Sequence, residues 1–224
     1  GKNAAALLDD VNVDDAVTGL IQTGYVHQGQ VCAAPERVYV HRSRFDEVVS
    51  KMCERLSVLN ISDPLDEEAH FGPLTSKAHF NKVMHFFTIA AEESQILFGG
   101  KAIARAGYYV EPTLVVANGP DDRLLKEEVF GPVLCFLPFD TDEELVSLMN
   151  NSEFGLTASL WTNDLSRAFR LIPQIEAGTV WVNMHTFLDP SVPFGGIKSS
   201  GLGREFGKEF INDYTELKSV MMRY

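Results

Sequence analysis

Cys32 is the residue in this sequence whose type and setting best suit covalent chemistry. It lies in Gly29-Gln30-Val31-Cys32-Ala33-Ala34, between a predicted helix and the short strand predicted at 36–40, ERVYV. A cysteine at such a junction, after a glycine that lets the backbone turn, can be presented to a cleft. Backbone N–H groups there can stabilise an oxyanion, and a positive field would favour the thiolate. Cys53, beside Met52 on a helical stretch, and Cys135, inside an apolar strand, read as the small buried hydrophobes that free cysteines usually are. His27, five residues before Cys32, makes a Cys/His thiol hydrolase conceivable. Such partners meet in space, however, so nearness along the chain says little.

Two further segments carry polar chemistry. Glu127-Glu128-Val129-Phe130-Gly131-Pro132 places paired carboxylates before a strand, where they could hold sugar hydroxyls or act as a base. Taken alone, a solvated pair following Lys126 is the simpler reading. Residues 193–205, PFGGIKSSGLGRE, lead into Gly201, Gly203 and Gly207. These are not a dinucleotide fingerprint, because such glycines follow directly on a buried strand within a βαβ unit.

The elements that must position these groups follow from apolar spacing. Asp14 and Asp15 precede a helical series, Ala16, Val17, Leu20 and Ile21. Ser43 opens S-x-x-D before Phe45, Val48, Val49, Met52, Leu56 and Leu59. Residues 61–74 form a Pro-rich connector. Thr75 or Ser76 caps the next helix, whose inner face is Phe80, Val83, Met84, Phe87 and Ala91. Strands are expected at 36–40, 95–98, 108–116 (broken by Pro112), 133–139, 157–161, 179–183 and 218–222. Thr141-x-x-Glu144 is a capping box, and a helix holds Ala168, Leu171 and Ile172. Strands separated by helices predict an α/β fold with a mostly parallel sheet flanked by helices. The Gly-, Pro- and Ser-rich stretch at 184–207 has the length of a functional loop.

Composition narrows the classes. The chain has 224 residues, 45% hydrophobic and 22% charged, which is ordinary globular usage. A formal net charge of −12 argues against a nucleic-acid groove and gives no steering toward an anionic cofactor. No apolar run reaches the ~18 residues of a membrane helix, and no secretory signal opens the chain. Three scattered cysteines support neither a disulfide framework nor a metal site, so a reducing, cytoplasmic setting is expected.

Taken together and in order, the blocks GQVCAAPER, DPLDEEAHFGPL, EPTLV, EEVFGPV, FGLTASLWT, AGTVWVN and PFGGIKSSGLGRE resemble the catalytic domain of the aldehyde dehydrogenase superfamily. The resemblance covers almost the whole chain. HTFLDPSVPFGGIKSSG and the ending KSVMMRY look most like its phenylacetaldehyde-oxidising branch.

The resemblance implies that Cys32 attacks an aldehyde, that hydride leaves to NAD or NADP, and that water hydrolyses the resulting thioester. The Cys32 backbone N–H would form half of an oxyanion hole. Glu128 would hold the nicotinamide ribose with Phe130 beside the ring, and Lys82 and His79 would lie at the cofactor's edge. Tyr25, Val26, Val31, Phe187, Leu188 and Phe194 would line an aldehyde tunnel. Residues 1–207 would be the catalytic domain. Residues 208–224 would be an oligomerisation segment whose strand, at 217–222, pairs across subunits of a dimer or tetramer. Gly1-Lys2-Asn3 looks like the end of the family's E-L-G-G-K motif, which implies a fragment. The cofactor is then bound mainly by a preceding domain, which also supplies the general-base Glu, and the isolated chain is expected to be inactive. The readings held beside this one are an assembly domain only, and the cofactor-free Cys32/His27 hydrolase.

Overall fold

The computed structural model describes all 224 residues. Its centre is a strand that the spacing of apolar residues does not announce, β1 (Asn3–Leu7), Ala-rich and buried at every position. It runs parallel to β2 (Pro35–His41) on one side. Between them stands α1 (Val13–Gly24). Asn12 caps it by accepting from the Asp14 and Asp15 amides, and the two aspartates in its first turn complement the helix dipole.

After β2 the expected Ser43 cap does not form. A 3₁₀ turn at Arg42–Arg44 intervenes, His41 Nδ1 accepts from the Ser43 amide, and α2 (Phe45–Ser57) begins without a side-chain cap. Ser76 caps α3 (Lys77–Glu93) as expected. Next come β3 (Gln95–Phe98) and β4 (Thr113–Val116), the latter starting just past Pro112. The short α4 (Arg123–Lys126) was not foreseen. It is followed by β5 (Val133–Phe139) and α5 (Asp142–Asn150). Thr141 caps α5 through the Glu144 amide, but Glu144 reaches back to the amide of Asp140 instead of Thr141, so the box is displaced by one residue.

The chain continues through β6 (Phe154–Gly155), β7 (Thr157–Trp161), α6 (Leu165–Leu171) and β8 (Thr179–Val182). Finally β9 (Ile197–Lys198) pairs antiparallel with β6. The main sheet has the order β3-β4-β5-β2-β1-β7-β8, and only β3 runs antiparallel. One face packs α1 and α2 through Leu20, Val48 and Met52. The other buries Val83, Phe86 and Phe87 of α3 with Leu145 of α5 and Leu171 of α6. Each such side chain contributes about 1.5–3 kcal/mol of burial.

The predicted last strand is corrected. Residues 218–222 form no strand and lie exposed, because an alternating segment becomes a strand only where another backbone accepts its hydrogen bonds. No helix is long and apolar enough to cross a membrane.

Candidate active site

Parallel register gathers the amino ends of the strands, and the site lies there. Cys32 sits in the turn before β2, Asn3 opens β1, and Phe130 lies just before β5. The turn is unusual backbone. His27, Gln28 and Gly29 are consecutively left-handed, with φ of 50°, 56° and 69°. A Cβ on Gly29 would stand 2.2 Å from the Gly131 carbonyl oxygen, so the turn presses directly on the segment carrying Glu128 and Phe130.

The thiol of Cys32 is exposed, whereas Cys53 is half-buried and Cys135 fully buried. Burial raises the pKa of Cys53 and pushes that of Cys135 far up, which disfavours the reactive thiolate at both. The main chain around Cys32 is pinned from several directions. Asn3 Nδ2 donates to the carbonyls of Cys32 (2.8 Å) and Ala34 (2.7 Å). The Ala33 carbonyl accepts from His185 Nε2 (2.9 Å) and Thr157 Oγ1 (3.3 Å). The Cys32 amide N–H itself has no partner in the chain, which leaves it available as a donor.

The 128–130 segment is held as tightly. Glu36 is buried, and its Oε2 accepts from Lys2 Nζ (2.5 Å) and the Val129 amide (2.9 Å), while its Oε1 accepts from the Phe130 amide (2.9 Å). Phe130 is left-handed, φ 57°, and its carbonyl accepts from His79 Nε2 (2.7 Å). The Glu128 carboxylate is partly exposed and lies against the backbone nitrogen of Gly1. Gly1 and Asn3 are two residues apart, within about 7 Å, so Glu128 and the Cys32 loop are neighbours. Gln30 Oε1 accepts from the Thr75 amide (2.9 Å), which anchors the start of α3 to the same loop.

The expected site residues separate into three groups. Cys32, Glu128, Phe130 and His79 come together, and Lys82 is exposed one turn beyond His79 on α3. Phe187, Leu188 and Phe194 share a cavity of about 250 Å³ with Trp181, Val192 and Pro193. Val26 (exposed) and Val31 (half-buried) flank the cysteine turn and do not line that cavity. Tyr25 is corrected: it is fully buried in the core with its hydroxyl donating to the Thr113 carbonyl (3.0 Å), so it has no surface to offer a ligand. Burial drives its pKa well up. His27 is exposed and lines a different cavity, with His70 and Phe71, whose lining does not include Cys32.

Lys2, Asn3, Glu36 and His185 escaped the reading of the sequence. The signal for Glu36 was a charged residue within a strand expected to be buried, PERVYVH, where Arg37 stands beside it.

Fold and site define a class of protein: helices on both faces of a mostly parallel sheet, with a single exposed cysteine displayed at the strands' amino ends against a backbone-fixed acidic loop. The aldehyde dehydrogenase family model matches residues 1–220, and the chain belongs to that family. The phenylacetaldehyde dehydrogenase of Pseudomonas fluorescens is 39% identical over 227 residues, covering 100% of this chain and 45% of that protein. A betaine aldehyde dehydrogenase of Sinorhizobium fredii is 38% identical over 224 residues, covering 98% and 46%. The crystal structure of betaine aldehyde dehydrogenase from Staphylococcus aureus in complex with NAD+ superposes with a TM-score of 0.92 at 35% identity, over 96% of this chain and 44% of that one. The chain spans about half the length of the curated relatives it matches.

Proposed function

We propose that this chain is the nucleophile-bearing portion of an NAD(P)-dependent aldehyde dehydrogenase that converts an arylaldehyde such as phenylacetaldehyde to its acid. The observation that carries the reading is the single exposed thiol on a turn pinned against the Glu128–Phe130 segment. Sulfur suits the chemistry, being a good nucleophile toward carbonyls and a good leaving group from a thioester. Cys32 adds to the aldehyde carbonyl, and its unpartnered amide N–H faces the developing oxyanion. A dinucleotide held by Glu128 and Phe130 would supply the hydride acceptor that the oxidation of the thiohemiacetal to the thioester needs. Water then releases the acid from the Cys32 thioester.

The residues present fit the cofactor's nicotinamide end. A partly exposed carboxylate suits ribose hydroxyls, and a left-handed Phe130 fixed at both its amide and its carbonyl sets a ring beside it. Lys82 and His79 lie on the same side through α3. Phe187, Leu188 and Phe194 supply an apolar wall of the kind an aryl group prefers. The exposed apolar side chains at 217–222 suit pairing between subunits.

The test is aldehyde-dependent NADH formation by the protein that carries this segment. Cys32→Ala should abolish it, a loss of at least about 1000-fold. His27→Ala should leave most of it, because His27 opens on another cavity. Turnover that survives Cys32→Ala would end the reading. Cofactor-free ester hydrolysis lost equally in both variants would favour the thiol hydrolase.

A further inference from the structure

His185 is buried yet makes two directed hydrogen bonds, one of them into the cysteine loop. Its Nε2 lies 2.9 Å from the Ala33 carbonyl, which can only accept, so Nε2 carries the proton. Nδ1 is then an acceptor, and the Ser159 hydroxyl, 2.7 Å away, donates to it. Ser159 Oγ in turn accepts from Trp161 Nε1 at 3.1 Å. The chain of donors runs one way, from Trp161 through Ser159 and His185 to the Ala33–Ala34 peptide, one residue beyond Cys32. Burial lowers the imidazole pKa to about 4, so a neutral ring in this one tautomer stands throughout the neutral range.

The backbone on either side of His185 is left-handed. Asn183 and Thr186, neither of them glycine, are left-handed at φ 54° and 59°, and Thr186 Oγ1 is buried without a partner. The imidazole also packs on Trp181, ring centroids 4.9 Å apart. Trp181 Nε1 donates to the Phe187 carbonyl (2.9 Å), and both residues line the apolar cavity.

We propose that His185 is a positioning residue for the nucleophile: its Nε2–H fixes the Ala33 carbonyl, in the Ala33–Ala34 peptide one residue beyond Cys32, while its contact with Trp181 ties the cavity wall to the same loop. The inference rests on Cys32 being the nucleophile.

The test compares His185→Phe, which keeps a ring on Trp181 but loses both bonds, with His185→Gln, whose amide can donate to Ala33 and accept from Ser159. In the 224-residue chain, peptide-resolved hydrogen exchange over residues 31–36 should quicken about tenfold in His185→Phe, the loss of one buried hydrogen bond. His185→Gln should bring it back to within about threefold. In the protein that carries this segment, His185→Phe should lower kcat about tenfold with the KM for the dinucleotide unchanged, and His185→Gln should restore kcat. Unchanged exchange in His185→Phe overturns the proposal. So does a His185→Gln variant as impaired as His185→Phe, because ring packing would then be the whole effect. Should His185→Phe not fold, Ser159→Ala, which releases the tautomer, is read by the same exchange, and an unaltered loop again overturns it. Turnover persisting in Cys32→Ala strikes the nucleophile reading instead, and the exchange result still decides whether His185 holds the loop.

Discussion

Replacing Lys2 with methionine removes one half of a buried ion pair and leaves the other half in place. Lys2 is 2% and Glu36 3% exposed, and their charged atoms stand 2.5 Å apart. Breaking such a pair by deleting one partner costs about 3–5 kcal/mol, because the remaining charge stays desolvated. Here the surviving Glu36 carboxylate keeps the amides of Val129 and Phe130, both at 2.9 Å. Hydrogen bonds to a charged acceptor are worth about 1.5–3 kcal/mol each, so Lys2→Met falls at the lower end, about 3 kcal/mol. Glu36→Leu strands the Lys2 ammonium and both amides together, and its cost rises to about 5 kcal/mol. In the double variant neither member of the pair is left behind as an unpaired buried charge, so it should be about 2 kcal/mol more stable than the sum of the single losses predicts. Urea denaturation followed by the fluorescence of Trp161 and Trp181, both buried, reads all three. A Lys2→Met loss below about 0.5 kcal/mol, or strict additivity in the double variant, would refute the reasoning.

Two further outcomes follow from the same geometry. The folded pKa of His185, about 4, lies below its unfolded value of 6.5, so the unfolded chain binds a proton that the native state refuses. Stability should therefore fall as pH drops from 6.5 to 4, by about 3 kcal/mol from this group, and level off below. The stability difference between the native chain and His185→Gln, measured at pH 7 and pH 4.5, should shrink by most of that amount, and a pH-independent difference would contradict the assignment. Gly29→Ala forces an L side chain into φ 69° with its Cβ 2.2 Å from the Gly131 carbonyl oxygen. It should cost about 3 kcal/mol, from left-handed strain plus displacement of the 129–131 segment, and a loss under about 1 kcal/mol would show that the two loops are not in register.

Part of this molecule is written locally. The helical spacing of Val48, Val49, Met52 and Leu56, and of Val83 and Phe87, marks which face turns inward, and those side chains are buried in α2 and α3. Apolar-rich runs mark β5 and most of β2 and β7, because strands covered on both faces bury nearly all of their positions. The glycine before Cys32 and the cysteine's junction between helix and strand are equally local. So is the order of blocks that links the chain to its family.

What local pattern does not contain is partnership across the chain. The central strand β1, NAAAL, is rich in the best helix former and becomes a strand because β2 and β7 flank it on both sides. Tyr25 has the same ring whether it lines a tunnel or fills a core, and only the Thr113 carbonyl, 88 residues away, decides for the core. The alternating residues at 218–222 have the pattern of a strand without a backbone in this chain to pair with. The polar atoms that hold the site meet across still longer separations: Asn3 with Thr157 at 154 residues, His185 with Ala33 at 152 and Glu36 with Phe130 at 94. Burial leaves a periodic trace because water acts on every residue of a helix or strand alike. A single hydrogen bond between distant loops leaves none, and it is set only when the sheet brings their strand ends together.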